Sequence, residues 1–205
     1  MTPPTDTQLD EHTVSVSWLW PMWRRFVIRT LSLAASMAVF LSLSSITAQA
    51  EGTDPRIVKI KAAFAYTLAK FVEWPDNAFK DKTSPLVICI GEDDVFTAAQ
   101  QSIQGKAVKT RAIDVRPLES RKTLNGCHVA MLSEGSDSSE ILHAAREHHI
   151  LTIGCGKDFA LSGGMVASYF VNNKLRFSIN LTSAREAGLT ISSRALGLAQ
   201  DVIHK

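Results

Sequence analysis

The 205-residue chain has few cysteines, no dense run of lysine and arginine, and little net charge. Its three cysteines, Cys89, Cys127 and Cys155, are too few for a disulfide scaffold and do not stand at metal-ligand spacing. A net charge of +2, from 22 basic and 20 acidic residues, excludes a strongly electrostatic nucleic-acid binder. No low-complexity tract is present, and the 45% hydrophobic content excludes a disordered chain. There is no Walker lysine motif and no G-x-S-x-G elbow. Gly154-Cys155-Gly156-Lys157-Asp158-Phe159 begins like a dinucleotide fingerprint, but Phe159 stands where the third glycine belongs. These absences leave an ordinary globular domain.

The first fifty residues change where that domain lives. Arg24, Arg25 and Arg29 precede an uncharged stretch from Leu31 to Ile46, and Ala48-Gln49-Ala50 follows. A basic region, an apolar core and an A-x-A site predict an export signal cleaved after Ala50. The apolar core is shorter than the roughly 20 residues a membrane span needs. Asp6, Asp10 and Glu11 are unusual ahead of a signal core, and a start at Met22 would remove them. Arg24-Arg25 faintly resembles a twin-arginine signal, but Trp23 stands where serine or threonine belongs, so ordinary Sec export is expected. No second long apolar run follows, which predicts a soluble mature part, residues 51–205, forming one domain.

That part reads as α/β. Ile57, Ile60, Phe64, Leu68 and Phe71 recur at helical spacing, with Lys59, Lys61 and Lys70 on other faces, Asp54 as cap and Pro55 at the first position. Leu86–Ile90, Val129–Leu132 and Ile150–Ile153 are apolar runs of buried strands, and Val108–Val115 is a weaker strand. Helices are expected over Val95–Ile103 and from Ser138 or Ser139 to His148. Alternating strands and helices predict a mainly parallel sheet covered by helices on both faces, an α/β/α sandwich. Met165–Val171 and Lys174–Leu181 flank Asn172-Asn173, a pair suited to a two-residue turn, which predicts a C-terminal antiparallel hairpin. A last helix is expected over Ser192–Ile203.

Chemistry is sparse. Glu92, Asp93 and Asp94 lie just past the first buried strand, where α/β sheets bind ligands, so Glu92 and Asp93 mark a candidate ligand cleft. The competing reading is a solvated helix N-terminus favoured by the helix dipole. His148 and His149 are adjacent, hence point apart and make a poor metal pair; His128 has no further ligand at zinc spacing. Gly163-Gly164 is expected to serve the backbone rather than a phosphate. No nucleophile, base and orienting group come together, so neither an enzyme nor a cofactor is expected. Trp74, the one tryptophan in residues 51–205, is expected to close the first helix over the core rather than to form an exposed hot spot.

Three segments carry a resemblance. They are Lys61-Ala62-Ala63-Phe64 through Val72-Glu73-Trp74-Pro75; Gly126-Cys127-His128-Val129 into Met131-Leu132; and Phe159-Ala160 with Gly163-Gly164-Met165, then Leu175 to Leu181 and Ala187 to Ser193. In order and spacing the chain, from Arg56 to Ile203, resembles the YfiR family of exported bacterial proteins. The resemblance implies a periplasmic regulator that binds and restrains the periplasmic part of an inner-membrane GGDEF-type diguanylate cyclase, and so tunes cyclic di-GMP and biofilm formation. It also implies a homodimer. The rival readings are a periplasmic small-molecule-binding protein using the cleft beside Glu92 and, more remotely, a hydrolase with an unrecognised site.

In a doubly wound sheet, Cys89 and Cys127 fall on neighbouring strands, whereas Cys155 is two strand spacings from Cys89, about 9–10 Å, beyond disulfide reach. A Cys89–Cys127 bond requires a register offset of about three residues. The bridge, either a staple or a redox lever, and a pair of buried thiols both remain open, with Cys155 a free thiol.

Overall fold

In the computed structural model, residues 54–136 and 138–204 are described. The expected start at Met22 and cleavage after Ala50 lie outside them. Along the chain run α1 (Pro55–Ala69), β1 (Val72–Glu73), β2 (Leu86–Ile90), α2 (Asp93–Ser102), β3 (Ala107–Val108), β4 (Arg111–Pro117), β5 (Val129–Met131), α3 (Ser139–Glu147), β6 (Leu151–Cys155), α4 (Asp158–Leu161), β7 (Val166–Val171), β8 (Lys174–Asn180), α5 (Leu181–Glu186), β9 (Thr190–Ile191), α6 (Ser193–Leu198) and β10 (Asp201–Ile203). Short 3-10 turns cover Asp76–Ala78 and Arg121–Leu124.

Eight strands form one sheet in the order β10-β8-β7-β6-β5-β2-β4-β3. All neighbours are parallel except β7–β8 and β3–β4. The fold is therefore a mainly parallel sheet with helices and an antiparallel hairpin near the C-terminus. β1 and β9 pair separately. Side chains alternate along the central strands, as a strand buried on both faces requires. Leu86, Ile88 and Ile90 join one apolar cluster with Val58, Ala62, Val95 and Ala99; Val87 and Cys89 join another with Leu124, Ala144 and Ala145. β2 meets β4 on one side and β5 on the other, so the chain reverses its winding there.

Local chemistry explains the ends. The Asp54 carboxylate accepts from the Arg56 N–H at 2.8 Å and Pro55 opens α1. Asn172 and Asn173 sit at φ 50° and 59°, both left-handed, and turn β7 into β8 with Val171 opposite Lys174.

Three expectations are corrected. The buried face of α1 is Val58, Lys61, Ala62, Ala65, Leu68 and Ala69, while Ile60 is 39% exposed and Ile57, Phe64 and Phe71 are half-buried. Alanines let the helix approach its neighbours closely, and Lys61 turns inward because it finds a carboxylate there. The weaker strand splits into the β3–β4 hairpin, because Lys109 adopts φ 54°. The last helix stops at Leu198; Gln200 N–H then donates to the Phe177 carbonyl and Asp201–Ile203 pair with Ser178–Asn180. The open edge of β8 outcompetes a weak helical stripe that contains Gly197.

Candidate functional site

The end of β2 delivers Glu92 to the N-terminus of α2, at the carboxyl edge of the sheet where the winding reverses. Lys61 reaches it from α1. Its Nζ donates to Oε1 at 2.9 Å and Oε2 at 2.8 Å, and the two side chains are only 11% and 17% exposed. Cys155, at the end of β6, brings its Sγ to 3.5 Å from Glu92 Oε1. Burial works against the Lys61 ammonium, but the Glu92 carboxylate, with a contribution from Cys155, outweighs it and holds the pKa above the ordinary lysine value. Burial pushes the Cys155 thiol up, opposed by the Lys61 charge.

Of the cleft residues read from sequence, Glu92 is thus engaged by Lys61, and Asp93 is exposed in the first turn of α2. Neither lines either of two open grooves among the described residues, one of about 890 Å³ beside Lys122 and His148, the other of about 310 Å³ between α1 and α2. The engagement of Glu92 by Lys61 and by Cys155 was not legible in the sequence. The available signal was a lysine set among Val58, Ala62, Ala65 and Ala69, on a face otherwise small and apolar.

A second cluster lies around the amino ends of β2 and β5 and reaches along β2 to Cys89. Cys89 and Cys127 form a disulfide with Cα atoms 5.9 Å apart. Cys89 lies opposite Ala130, three residues beyond Cys127. The neighbouring His128 is 7% exposed. Its Nδ1 accepts from the Val87 N–H at 3.0 Å, and its Nε2–H donates to the Ala78 carbonyl at 3.1 Å. The ring stacks on Phe79, centroids 4.3 Å apart, and the Arg111 guanidinium covers that phenyl ring at 3.6 Å. Burial, then Arg111 and Arg116, lowers the His128 pKa against the Ala78 hydrogen bond, so the imidazole is neutral.

Trp74 is half-buried; its edge meets Phe79 and its Nε1–H donates to the His128 carbonyl at 3.3 Å. His149 bonds the Ala187 carbonyl at 2.7 Å and the Asn77 amide at 3.2 Å, while His148 is exposed after α3. Gly154 of the broken fingerprint, and Gly164 beyond it, have a packing role: a Cβ on either would clash with the Phe159 ring.

Comparison with known proteins places the chain. No curated protein matches it significantly. A solved domain of Streptococcus pneumonia, titled an ABC domain in complex with L-Trp, is 11% identical, with a TM-score of 0.47 over 69% of this chain and 62% of that one. A conserved domain protein from Vibrio cholerae is 12% identical, with a TM-score of 0.44 over 71% of this chain and 60% of that one. The chain thus spans less than two thirds of either. Among the described residues no helix is long and apolar enough to cross a membrane. The profile of one family matches residues 58–200, from the buried face of α1 to the approach to β10, and the chain belongs to that family, the YfiR/HmsC-like family of periplasmic regulators of cyclic di-GMP signalling.

Proposed function

We propose that this protein is a non-enzymatic periplasmic regulator that binds the periplasmic part of an inner-membrane signalling protein, a GGDEF-type diguanylate cyclase, and restrains it. The observation that carries this reading is the family match over 58–200, nearly the whole of the described domain. The export signal ending at Ala50 supports it, with the Sec route as the path taken. A homodimer is part of the proposal, since symmetric pairs are the commonest oligomers.

The polar clusters support binding rather than catalysis. Lys61, Glu92 and Cys155 satisfy one another, and His128 spends both ring nitrogens on backbone groups. The rival small-molecule reading, centred on Glu92 and Asp93, requires the Lys61–Glu92 pair to open before a ligand enters.

The test is to delete the gene in its own organism and measure cyclic di-GMP. The expected result is a rise, reversed by the wild-type copy. An unchanged level, together with no co-purifying membrane cyclase after cross-linking, would remove the proposal.

A further inference from the structure

Basic side chains are unevenly spread over the domain. Around the β3–β4 hairpin, the carboxyl end of α1 and the segment leading into β2 stand Lys70, Lys80, Lys82, Lys106, Lys109 and Arg111, against Glu73, Asp76 and Asp81. That is an excess of three positive charges in a chain whose net charge is +2, so the remainder of the chain carries no net positive charge. Contacts hold these groups in one continuous patch. Lys70 and Lys106 place their ammonium groups 4.0 and 5.7 Å from the centre of the Tyr66 ring, whose hydroxyl donates to the Ala107 carbonyl. Lys109 lies 3.5 Å from Glu73, the neighbour of Trp74; Trp74 meets Phe79, and Arg111 covers Phe79. Lys80 and Lys82 flank Asp81, whose carboxylate folds back onto the N–H groups of Thr83 and Ser84. All five lysines are exposed. Among the described residues, Lys70, Lys80, Lys82 and Lys106 have no carboxylate within ion-pair distance.

We infer that this patch lays the domain against an anionic phospholipid surface. Two observations favour lipid over an acidic protein. Five of the six cations are lysines, whereas protein–protein interfaces are depleted in lysine and enriched in arginine. The planar fork of arginine matches a carboxylate, while lysine is a hydrated point charge on a flexible stem, suited to a diffuse field of headgroups. The one arginine is already engaged, since Arg111 donates to the Asp81 and Ser84 carbonyls at 2.9 and 2.6 Å. The second observation is that Tyr66 and Trp74 lie half-buried among these cations. Rings with an apolar body and a polar tip concentrate at headgroup level. Lys106 and Lys109 also flank the short edge strand β3, where charge blocks pairing with another edge. That role accounts for two of the lysines and leaves Lys70, Lys80 and Lys82 without one.

The contact is peripheral and electrostatic. Each lysine near an anionic surface raises the affinity about fivefold, and screening by salt shortens the reach of the field to about 10 Å at about 0.1 M. Binding in this way turns the amino ends of β2 and β4 towards the bilayer. It needs no protein partner, so it goes beyond the proposed function and does not depend on it.

The test uses residues 51–205, whose two core clusters draw on no residue before Val58, so that the apolar stretch from Leu31 to Ile46 cannot itself enter lipid. The protein is sedimented with vesicles of phosphatidylglycerol and phosphatidylcholine in equal parts, or of phosphatidylcholine alone, at about 0.05 M and about 0.5 M salt. The expected result is binding to the anionic vesicles at low salt, none to the neutral ones, and loss at high salt. Replacing Lys80, Lys82 and Lys106 together by glutamine is expected to weaken binding about 100-fold. Replacing Lys157, Lys174 and Arg176 by glutamine removes three exposed charges at the far end of the sheet and is expected to leave binding within about twofold of wild type. No binding to anionic vesicles at low salt overturns the inference. So does equal binding to both kinds of vesicle, or binding that survives high salt, since either means apolar insertion. Equal losses in the two triple variants would make net charge, not the patch, responsible and overturn it as well. Capture of soluble polyglutamate without binding to vesicles would assign the patch to an acidic protein instead. The wild-type arms decide even if a variant fails to fold.

Discussion

The two edges of the sheet bury the same kind of group and treat it in opposite ways. At the carboxyl edge Lys61 meets the Glu92 carboxylate and stays charged. At the amino edge His128 meets a backbone N–H, a backbone carbonyl and two arginines, and stays neutral. Burial opposes the charge at both sites. The partner decides the outcome. A carboxylate within hydrogen-bond reach offsets desolvation for Lys61, while an N–H aimed at His128 Nδ1 occupies the place where its second proton would go. Cys127, ahead of β5 at the amino edge, is also tied covalently to Cys89 within β2, whereas the carboxyl edge rests on the ion pair.

The comparison is broken most strongly at the covalent tie. Replacing Cys89 and Cys127 together by serine is expected to cost about 4 kcal/mol, the chain-entropy value for a cross-link between residues 38 apart. Chemical denaturation measures it, and a midpoint within error of wild type would show that the amino edge does not depend on its bond.

Next comes the ion pair. Lys61→Met leaves Glu92 uncompensated and is expected to cost about 3 kcal/mol, whereas Lys61→Met with Glu92→Leu restores most of the loss. A double-mutant cycle reads the coupling between the two. If the double variant is as unstable as the single, the cost lies in packing and not in the stranded charge.

His128→Ala is expected to cost about 2 kcal/mol, since it leaves the Val87 N–H and the Ala78 carbonyl without their side-chain partner. The pH dependence separates the two edges without mutation. Below the ordinary imidazole value of 6.5, the unfolded His128 takes up a proton that the folded one resists. Its contribution is therefore complete above that pH and is lost as the pH falls through it towards the lowered folded value. Lys61 behaves inversely: its contribution is complete below the ordinary lysine value of 10.5 and is lost as the pH rises through the raised folded value. Melting curves across pH should show His128→Ala flattening the acid limb alone and the Lys61→Met, Glu92→Leu pair flattening the alkaline limb alone. Either variant moving both limbs would merge the two sites into one.

The smallest effect belongs to Trp74→Phe. It removes the Nε1–H bond to the His128 carbonyl while keeping an aromatic ring on Phe79, for about 1 kcal/mol. Tryptophan is half-buried here rather than sealed in the core, so thermal melting should register a shift of a few degrees. A loss as large as that of His128→Ala would mean that the indole body, not its N–H, holds the edge.

Periodicity made the centre of this fold legible. Leu86–Ile90 and the Val129 run are uniformly apolar because the sheet is covered on both faces, and Asn172-Asn173 announced its turn by tolerating left-handed φ. What stayed hidden depends on distant partners. α1 could not be oriented from its own stripe, because Lys61 counts as polar until Glu92, 31 residues away, is brought beside it. The residues after Leu198 spell a weak helix and become β10 because β8 has an edge to fill. Lys109 takes a left-handed conformation that its residue type does not advertise. Of the candidate site, the position of Glu92 at a strand end was readable, but its engagement by Lys61 and the approach of Cys155 were not, since three separate elements supply them.

The bond between Cys89 and Cys127 closes the intervening chain into a covalent ring that holds all of α2, β3 and β4. A protease that nicks the ring, for example at the exposed Lys122 in the turn after β4, severs one peptide bond without dividing the molecule. The two pieces remain one particle of unchanged mass, apart from the added water, until a reductant reaches the sulfurs. A cleaved copy would therefore run as intact protein on a gel without reductant and separate into two fragments only with it.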